Sequence, residues 1–457
     1  MKTFDHIILG TGQAAGTLLG KLIPAGGSIA VIEGNKVGGS CVNYGCTPTK
    51  TLVASAKAIH YARHGEDYGF KTGKLEVDYT RVRERMNKIR NESRNGLKEW
   101  MEESDNVTLF KQWGSFTGPN TIQAGSEEIE GDKIYINTGT RPVVPKIDGL
   151  DSVPWMDSAG LLDLEELPEH LIIIGGSYVG VEFSQIYTRF GSRVTIIQRG
   201  SQLMSREDSD IAGSIQEFLE EEGIRILLNS EPKSVTGKEG ELEIKLKSGD
   251  VIKGSHLLVA AGRKPNSDRI NPEKAGIHVN DKGFIQVDGY CHTNVDGIFA
   301  MGDVNGEGAF THTSVNDAEI VIDYLDVDGG DRGISKREKI YALFTDPPLG
   351  RVGMNEKEAI DAGKKVLKST MPMSEISRAK EMGETNGFAK LLVDADTDLI
   401  LGASILGPGG DEIINMFAAI MHSKIPCHEY RKVVLVHPTV SELMPFVLDG
   451  LEPVEAE

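Results

Sequence analysis

Ile7-Ile8-Leu9-Gly10-Thr11-Gly12-Gln13-Ala14-Ala15-Gly16 opens the first organised segment of the chain: an apolar run, a glycine turn and the start of a helix. The next apolar run, Ile29-Ala30-Val31-Ile32, ends at Glu33. In that order the residues spell a strand–helix–strand unit with a dinucleotide fingerprint. Gly10 permits the tight turn, Gly12 lets the backbone approach a pyrophosphate, and Ala15 keeps helix and strand close. The helix start offers free amides and the positive end of its dipole to phosphates. Glu33 stands where an acid accepts a hydrogen bond from a ribose hydroxyl. A plain turn between strand and helix explains the glycines alone; strand, helix and terminal acid together favour a nucleotide site.

The pattern recurs further along. Leu171-Ile172-Ile173-Ile174 runs into Gly175-Gly176-Ser177-Tyr178-Val179-Gly180, and Val194-Thr195-Ile196-Ile197 follows, ending at Gln198 rather than at an acid. Two dinucleotide sites in one chain imply two different cofactors that hand electrons to each other, because a single-cofactor dehydrogenase needs only one. Thr138-Gly139-Thr140-Arg141-Pro142 and Ala261-Gly262-Arg263-Lys264-Pro265-Asn266 each follow an apolar strand, and Gly297 to Asp303 ends a strand on Gly-Asp. Each of these, taken alone, reads as a turn. After Asp331 the sequence changes to strands and helices without a fingerprint, which indicates a separate C-terminal domain.

Composition sets the outer bounds. At 457 residues the chain is long enough for about three domains at roughly 150 residues each. With 39% apolar and 26% charged residues and 53 glycines it reads as an ordinary α/β protein rich in turns, with disorder indicated only at the acidic end, Glu452 to Glu457. Acidic residues outnumber basic ones, 68 to 49, and no basic block forms a phosphate-binding stripe, so nucleic acid is not an expected partner. No apolar run approaches the roughly 20 residues that span a bilayer, and a strand begins almost at once, at Phe4. The expectation is a cytoplasmic protein without a membrane partner.

Four cysteines are too few for a secreted disulfide framework, so a cysteine pair here points to chemistry. Cys291 and Cys427 have no motif around them and read as packed thiols. Cys41 and Cys46 lie in Gly38-Gly39-Ser40-Cys41-Val42-Asn43-Tyr44-Gly45-Cys46-Thr47-Pro48-Thr49-Lys50, ahead of a helix expected over about Thr51 to Ala62. Along an ideal helix their Cα atoms would stand roughly 8 to 9 Å apart, beyond the roughly 7 Å limit for a disulfide. The pair can close only if the helix start is distorted, for which Gly45 and Pro48 are suited. A position near a helix N-terminus also favours the reactive thiolate of Cys46. A metal site needs more ligands than this segment offers, and an inert buried pair is the other alternative.

These motifs resemble the flavin-dependent pyridine nucleotide-disulfide oxidoreductases, the family of dihydrolipoamide dehydrogenase, glutathione reductase and mercuric reductase. The resemblance covers nearly the whole chain, and its most specific parts are Gly39 to Lys50 and His437-Pro438-Thr439-Val440-Ser441-Glu442. It implies that Gly10, Gly12, Ala15, Glu33, Gly39, Ser40, Lys50, Gly139 and Asp303 hold FAD, and that Gly175, Ser177, Tyr178, Gly180, Gln198, Arg199 and Gly262 hold the nicotinamide nucleotide. Cys46 would be the thiol beside the flavin and Cys41 the more exposed one that exchanges with substrate. Lys50 and Glu182 would form an ion pair near the flavin's reactive edge, with Tyr178 covering the nicotinamide pocket. His437, oriented by Glu442, would be the acid/base residue and would come from the partner subunit of a homodimer. A histidine that titrates near neutrality suits a dithiol that loses protons on oxidation, and a carboxylate fixes its tautomer.

The fold class is therefore α/β: two Rossmann-like dinucleotide-binding domains, for FAD at 1–146 plus 266–335 and for NAD(P) at 147–265, and a C-terminal α+β dimerisation domain at 336–457. The expected activity is transfer of electrons from NAD(P)H through FAD to the Cys41–Cys46 disulfide and on to a small acceptor, with no resident metal. A flavin oxidase or quinone reductase, and a docking subunit of a multienzyme complex, are the rival readings. NADP(H) is the preferred donor and NAD(H) the second candidate, because neutral Gln198 replaces the acid that repels a 2′-phosphate and Arg199 follows it. Some features depart from the best-known members. No cysteine follows Cys427, whereas mercuric reductases carry a cysteine pair near the C-terminus, and Leu435 stands where dihydrolipoamide dehydrogenases usually carry a second histidine. The group often labelled mercuric reductase-like fits best.

Overall fold

The computed structural model describes residues 1–326 and 330–454. The first sheet pairs Lys2–Leu9 in parallel with Ile29–Ile32 on one side and Glu127–Ile136 on the other. Val107–Phe110 extends it beyond Ile29–Ile32, and Ile298–Ala300 joins Glu127–Ile136 in parallel. Alternation along the strands sends Ile7 and Leu9 into one apolar cluster and Ile8 into another, so both faces are covered. Continuous apolar runs are what such doubly covered strands require. Leu9 registers with both Ile32 and Ile136, which brings Gly10, Glu33 and Asn137 to one edge of the sheet. Ligands of open parallel sheets bind at this carboxyl edge.

A second parallel sheet has the order Arg225–Leu227, Arg193–Ile197, His170–Ile174, His256–Val259. Ile174 registers with Ile197 and Val259, so Gly175 and Gln198 repeat the relation of Gly10 to Glu33. A three-stranded antiparallel sheet, 232–254, packs against this unit. Two of the three segments that read individually as turns are partners: Thr140–Pro142 and Arg263–Pro265 pair antiparallel, forming a two-stranded ribbon where the chain leaves the first sheet's strands and returns. Single-segment reading cannot find this, because the two strands are short and far apart in sequence.

The C-terminal sheet is antiparallel, in the order Ile340–Leu343, Leu349–Gly353, Leu399–Leu406, Phe388–Asp394, Val366–Pro372, Glu452–Pro453. Helix Gly410–His422 packs its buried Ile413, Ile414 and Phe417 on this sheet. The expectation of disorder from Glu452 onward is corrected at its start: Glu452 and Pro453 pair with Lys368 and Leu367 as an edge strand. Val454 follows, its amide donating to the Val366 carbonyl at 2.9 Å, and 455–457 lie outside the described residues. Among the described residues no helix is long and apolar enough to cross a membrane.

Candidate active site

Gly10 has φ +100°, and a Cβ there would stand 2.4 Å from the carbonyl oxygen of Asn137. Only glycine fits. Gly39, with φ +62°, brings its Cα side against Gly12, where a Cβ would lie 2.7 Å from the Gly12 Cα. Asn137 stitches the turn together by donating from Nδ2 to the carbonyls of Gly10 (3.3 Å) and Gly12 (3.0 Å). Ala15 is fully buried behind the turn. The result is a cavity of about 980 Å³ that Gly10, Gly12, Glu33, Gly139 and Asp303 all line, at the upper end of the size of small-molecule sites. Close-packed glycine backbone at a helix start, opening on so long a cavity, fits a dinucleotide the size of FAD. The Glu33 carboxylate also organises the polypeptide, accepting from the Thr11 amide (3.0 Å), the Thr11 hydroxyl and the Asn35 amide (2.8 Å). Asp303 accepts from the Thr140 hydroxyl at 2.8 Å. Ser40 is exposed on the cavity wall.

The cysteine segment breaks where distortion is needed. Gly39–Tyr44 is one short helix, Gly45 departs from helical geometry (φ −135°, ψ −114°), and a second helix runs Cys46–Arg63. That helix starts earlier than the sequence pattern indicates, because Pro48 falls in its first turn, where its missing amide would have no partner anyway. Both cysteines are free thiols, and the Cys41 thiol hydrogen-bonds to Cys46. This bond lowers the Cys46 thiol to about 6 and, with burial, pushes Cys41 up. The Thr311 hydroxyl, 3.2 Å from Cys46 Sγ, and the nearby Lys50 charge favour the thiolate further. Both thiols line the cavity, Cys41 on the short helix and Cys46 at the head of the second helix. Cys291 and Cys427 are buried, and burial pushes Cys427 up to about 12.

Lys50, one turn beyond Cys46, reaches across to Glu182 of helix Tyr178–Phe190, with Nζ at 2.9 and 2.7 Å from the two carboxylate oxygens. Glu182 also accepts from the Phe344 amide at 3.0 Å, and Lys50 Nζ lies 4.5 Å from the Phe344 ring centre. Three parts of the chain thus meet at one ion pair. Tyr178 lines the same cavity and donates its hydroxyl to Glu207 at 2.6 Å.

The second glycine turn lies outside this cavity. Gly175 has φ +114° with the Ala260 carbonyl against it, and a Cβ on Gly180 would stand 2.0 Å from the Gly175 oxygen. Ser177 precedes the helix and is exposed, and Gly262 has φ +120°. Gln198 turns inward: its Oε1 accepts from the Gly176 amide (3.1 Å) and its Nε2 donates to the Gln202 carbonyl (3.1 Å). Arg199 is exposed.

His437 is not part of the cavity lining. Its Nδ1 lies 2.9 and 3.0 Å from the Glu442 oxygens, and Thr439 holds that carboxylate's residue by accepting from the Glu442 amide at 3.2 Å. The His437 side chain is 77% exposed, and Val434, Val436 and Phe446 of the same C-terminal segment are exposed as well. Contacts the sequence reading missed include Asn137, Thr311, Phe344 and Trp113, which lines the cavity with Arg269 over its ring. Only Asn137 had a local signal, standing at a strand end before Thr138-Gly139.

This arrangement, two glycine turns at the starts of helices with a thiol pair on the wall of the first turn's cavity, defines a flavoprotein disulfide reductase, and comparison with known proteins agrees. Residues 4–318 match the family described as "Pyridine nucleotide-disulphide oxidoreductase" and residues 340–446 match its dimerisation domain, so the chain belongs to the pyridine nucleotide-disulfide oxidoreductases and is an FAD-dependent oxidoreductase that uses a pyridine nucleotide. Among its relatives is the "Probable pyridine nucleotide-disulfide oxidoreductase RclA" of Escherichia coli, 37% identical over 450 residues, covering 97% of this chain and 98% of that protein. A mercuric reductase of Lysinibacillus sphaericus is 31% identical over 414 residues, covering 90% of this chain and 76% of that one. The structure described as "Cu(II) complex of HOCl-induced flavoprotein disulfide reductase RclA from Escherichia coli" superposes with a TM-score of 0.88 at 37% identity, covering 97% and 99% of the two chains.

Proposed function

We propose that this chain is a homodimeric reductase that takes electrons from NADPH and delivers them through Cys41 and Cys46 to a small acceptor, a disulfide being the simplest. The observation that carries the reading is the position of Cys46: at a helix break, on the wall of the glycine-lined cavity, with Thr311 and Lys50 favouring its thiolate. Bound FAD, held by the first glycine turn, Gly39 and Asp303, supplies the two-electron carrier between nucleotide and disulfide. Two electrons and two protons open the Cys41–Cys46 bond. The Cys41 sulfur then attacks an acceptor disulfide and expels one thiolate. Cys46 attacks the mixed disulfide, releases the second thiolate and restores the Cys41–Cys46 bond. His437 of the partner subunit protonates the departing thiolates, and Glu442 holds its Nδ1 so that Nε2 is free for the transfer. The exposed Val433, Val434 and Val436 just ahead of His437 support its burial in a dimer.

NADPH is favoured because the second strand ends in neutral Gln198, followed by Arg199, which is exposed and free to meet a 2′-phosphate. A division at 1–146 plus 266–335, 147–265 and 336–457 is part of this reading, supported by one main sheet falling in each part, and a cytoplasmic location suits a free thiol pair. The test is anaerobic reduction of the purified flavoprotein: two-electron reduction should produce a long-wavelength thiolate-to-flavin absorption band, and Cys46→Ser should abolish it while FAD stays bound. Persistence of the band would remove Cys46 from this role. Turnover against lipoamide, small disulfides, quinones and metal ions, Cu(II) among them, identifies the acceptor.

A further inference from the structure

Glu207 lies outside every motif in the sequence, yet its carboxylate is fully buried. Its Oε1 accepts from the Tyr178 hydroxyl and from the Tyr341 hydroxyl, both at 2.6 Å, and its Oε2 accepts from Arg351 Nη1 at 3.0 Å. Tyr341 and Arg351 stand on strands Ile340–Leu343 and Leu349–Gly353 of the C-terminal sheet. The segment carrying Glu207 is tied to the second glycine turn, because the Met204 amide donates to the Gly176 carbonyl at 2.8 Å and the Glu207 amide to the Met204 carbonyl at 2.8 Å. Next to it, Lys390 fills the space between Asp208, Asp210 and Glu356, so this acidic cluster is a closed ion-pair network. The Tyr178 ring meets Tyr341 edge-on (5.8 Å, 85°) and Phe310 edge-on (6.4 Å, 85°), and Phe310 stacks on Tyr341 at 5.1 Å.

We propose that Glu207 is a positioning residue: it latches Tyr178 in the nucleotide-free enzyme by anchoring its hydroxyl to the C-terminal domain, and the nicotinamide must break that hydrogen bond to enter. The inference rests on the reading that Tyr178 covers the nicotinamide pocket and adds what holds the ring there. A buried carboxylate with three donors keeps two when one is withdrawn, so Tyr178 can swing without leaving Glu207 unpaired, whereas loss of Glu207 strands the Arg351 charge. The latched state competes with nucleotide binding, and the apparent dissociation constant carries that competition as a factor.

The test is the equilibrium dissociation constant of NADP+, and separately of NAD+, for the oxidised FAD-loaded dimer, followed by the perturbation of flavin absorbance. Tyr178→Phe keeps the ring and removes the latch, and should tighten binding by about tenfold, the worth of a hydrogen bond to a charged acceptor. Glu207→Gln should shift it in the same direction, and the double variant should gain no more than the larger single effect. A scaffold role alone lowers the thermal midpoint without tightening binding. Unchanged or weakened binding in Tyr178→Phe overturns the latch, and this variant decides the matter even where Glu207→Gln fails to fold. Tyr178→Ala separates the two levels: if it leaves nucleotide binding and the rate of flavin reduction untouched, the placement of Tyr178 over the nicotinamide is wrong. If it changes them while Tyr178→Phe does not, only the latch is.

Discussion

Replacing Thr311 by valine removes one oxygen from 3.2 Å of the Cys46 sulfur and keeps the side-chain volume. The hydroxyl stabilises the thiolate more than the thiol, so its loss raises the Cys46 pKa. A hydrogen bond to a charged group contributes about 1.5 to 3 kcal/mol, which corresponds to about one to two pKa units at 1.36 kcal/mol per unit. Cys41 and Lys50 also favour this thiolate and remain in the variant, so the low end, about one unit, is expected. The Cys46 thiol starts at about 6, so the variant should titrate near 7. At neutral pH the thiolate fraction falls from about nine-tenths to about one-half. The assay is a pH titration of the long-wavelength band in two-electron-reduced protein, with Thr311→Ser as the rescue that restores the donor. A midpoint that stays put, or moves to lower pH, refutes the assignment of Thr311 as a thiolate donor.

Two further outcomes are expected. Mixing inactive Cys41→Ser and His437→Ala proteins under conditions that exchange subunits should recover about a quarter of the wild-type rate, since half the dimers are then mixed and each holds one intact site; exchange without recovery contradicts a shared site. Gln198→Glu combined with Arg199→Met should move kcat/KM toward NADH, chiefly through a higher KM for NADPH because the adenosine phosphate is remote from hydride transfer, and an unmodified enzyme that already prefers NADH refutes the reading of both residues.

Local chemistry made the two glycine turns and the cysteine segment readable in advance. Gly10 and Gly175 take left-handed φ in turns between a strand and its helix, and Gly45 breaks a helix between its immediate neighbours, so short stretches of sequence carry the signal, although the carbonyls that close on the two turns belong to distant Asn137 and Ala260. The Lys50–Glu182 pair lay further apart and became visible only through family resemblance. By itself the sequence determined an α/β chain with two glycine turns between strand and helix, a closely spaced cysteine pair and a C-terminal domain of different pattern. Tertiary structure alone decided that Thr311 meets Cys46 across 265 positions, that Thr140–Pro142 and Arg263–Pro265 form one ribbon, and that Glu207 gathers Tyr178, Tyr341 and Arg351. The physical reason is that a turn or a helix break is fixed by dihedral preferences a few residues wide, whereas a buried carboxylate or a thiolate donor is chosen by whichever side chain the packed sheets bring within about 3 Å, and no spacing along the chain encodes that distance.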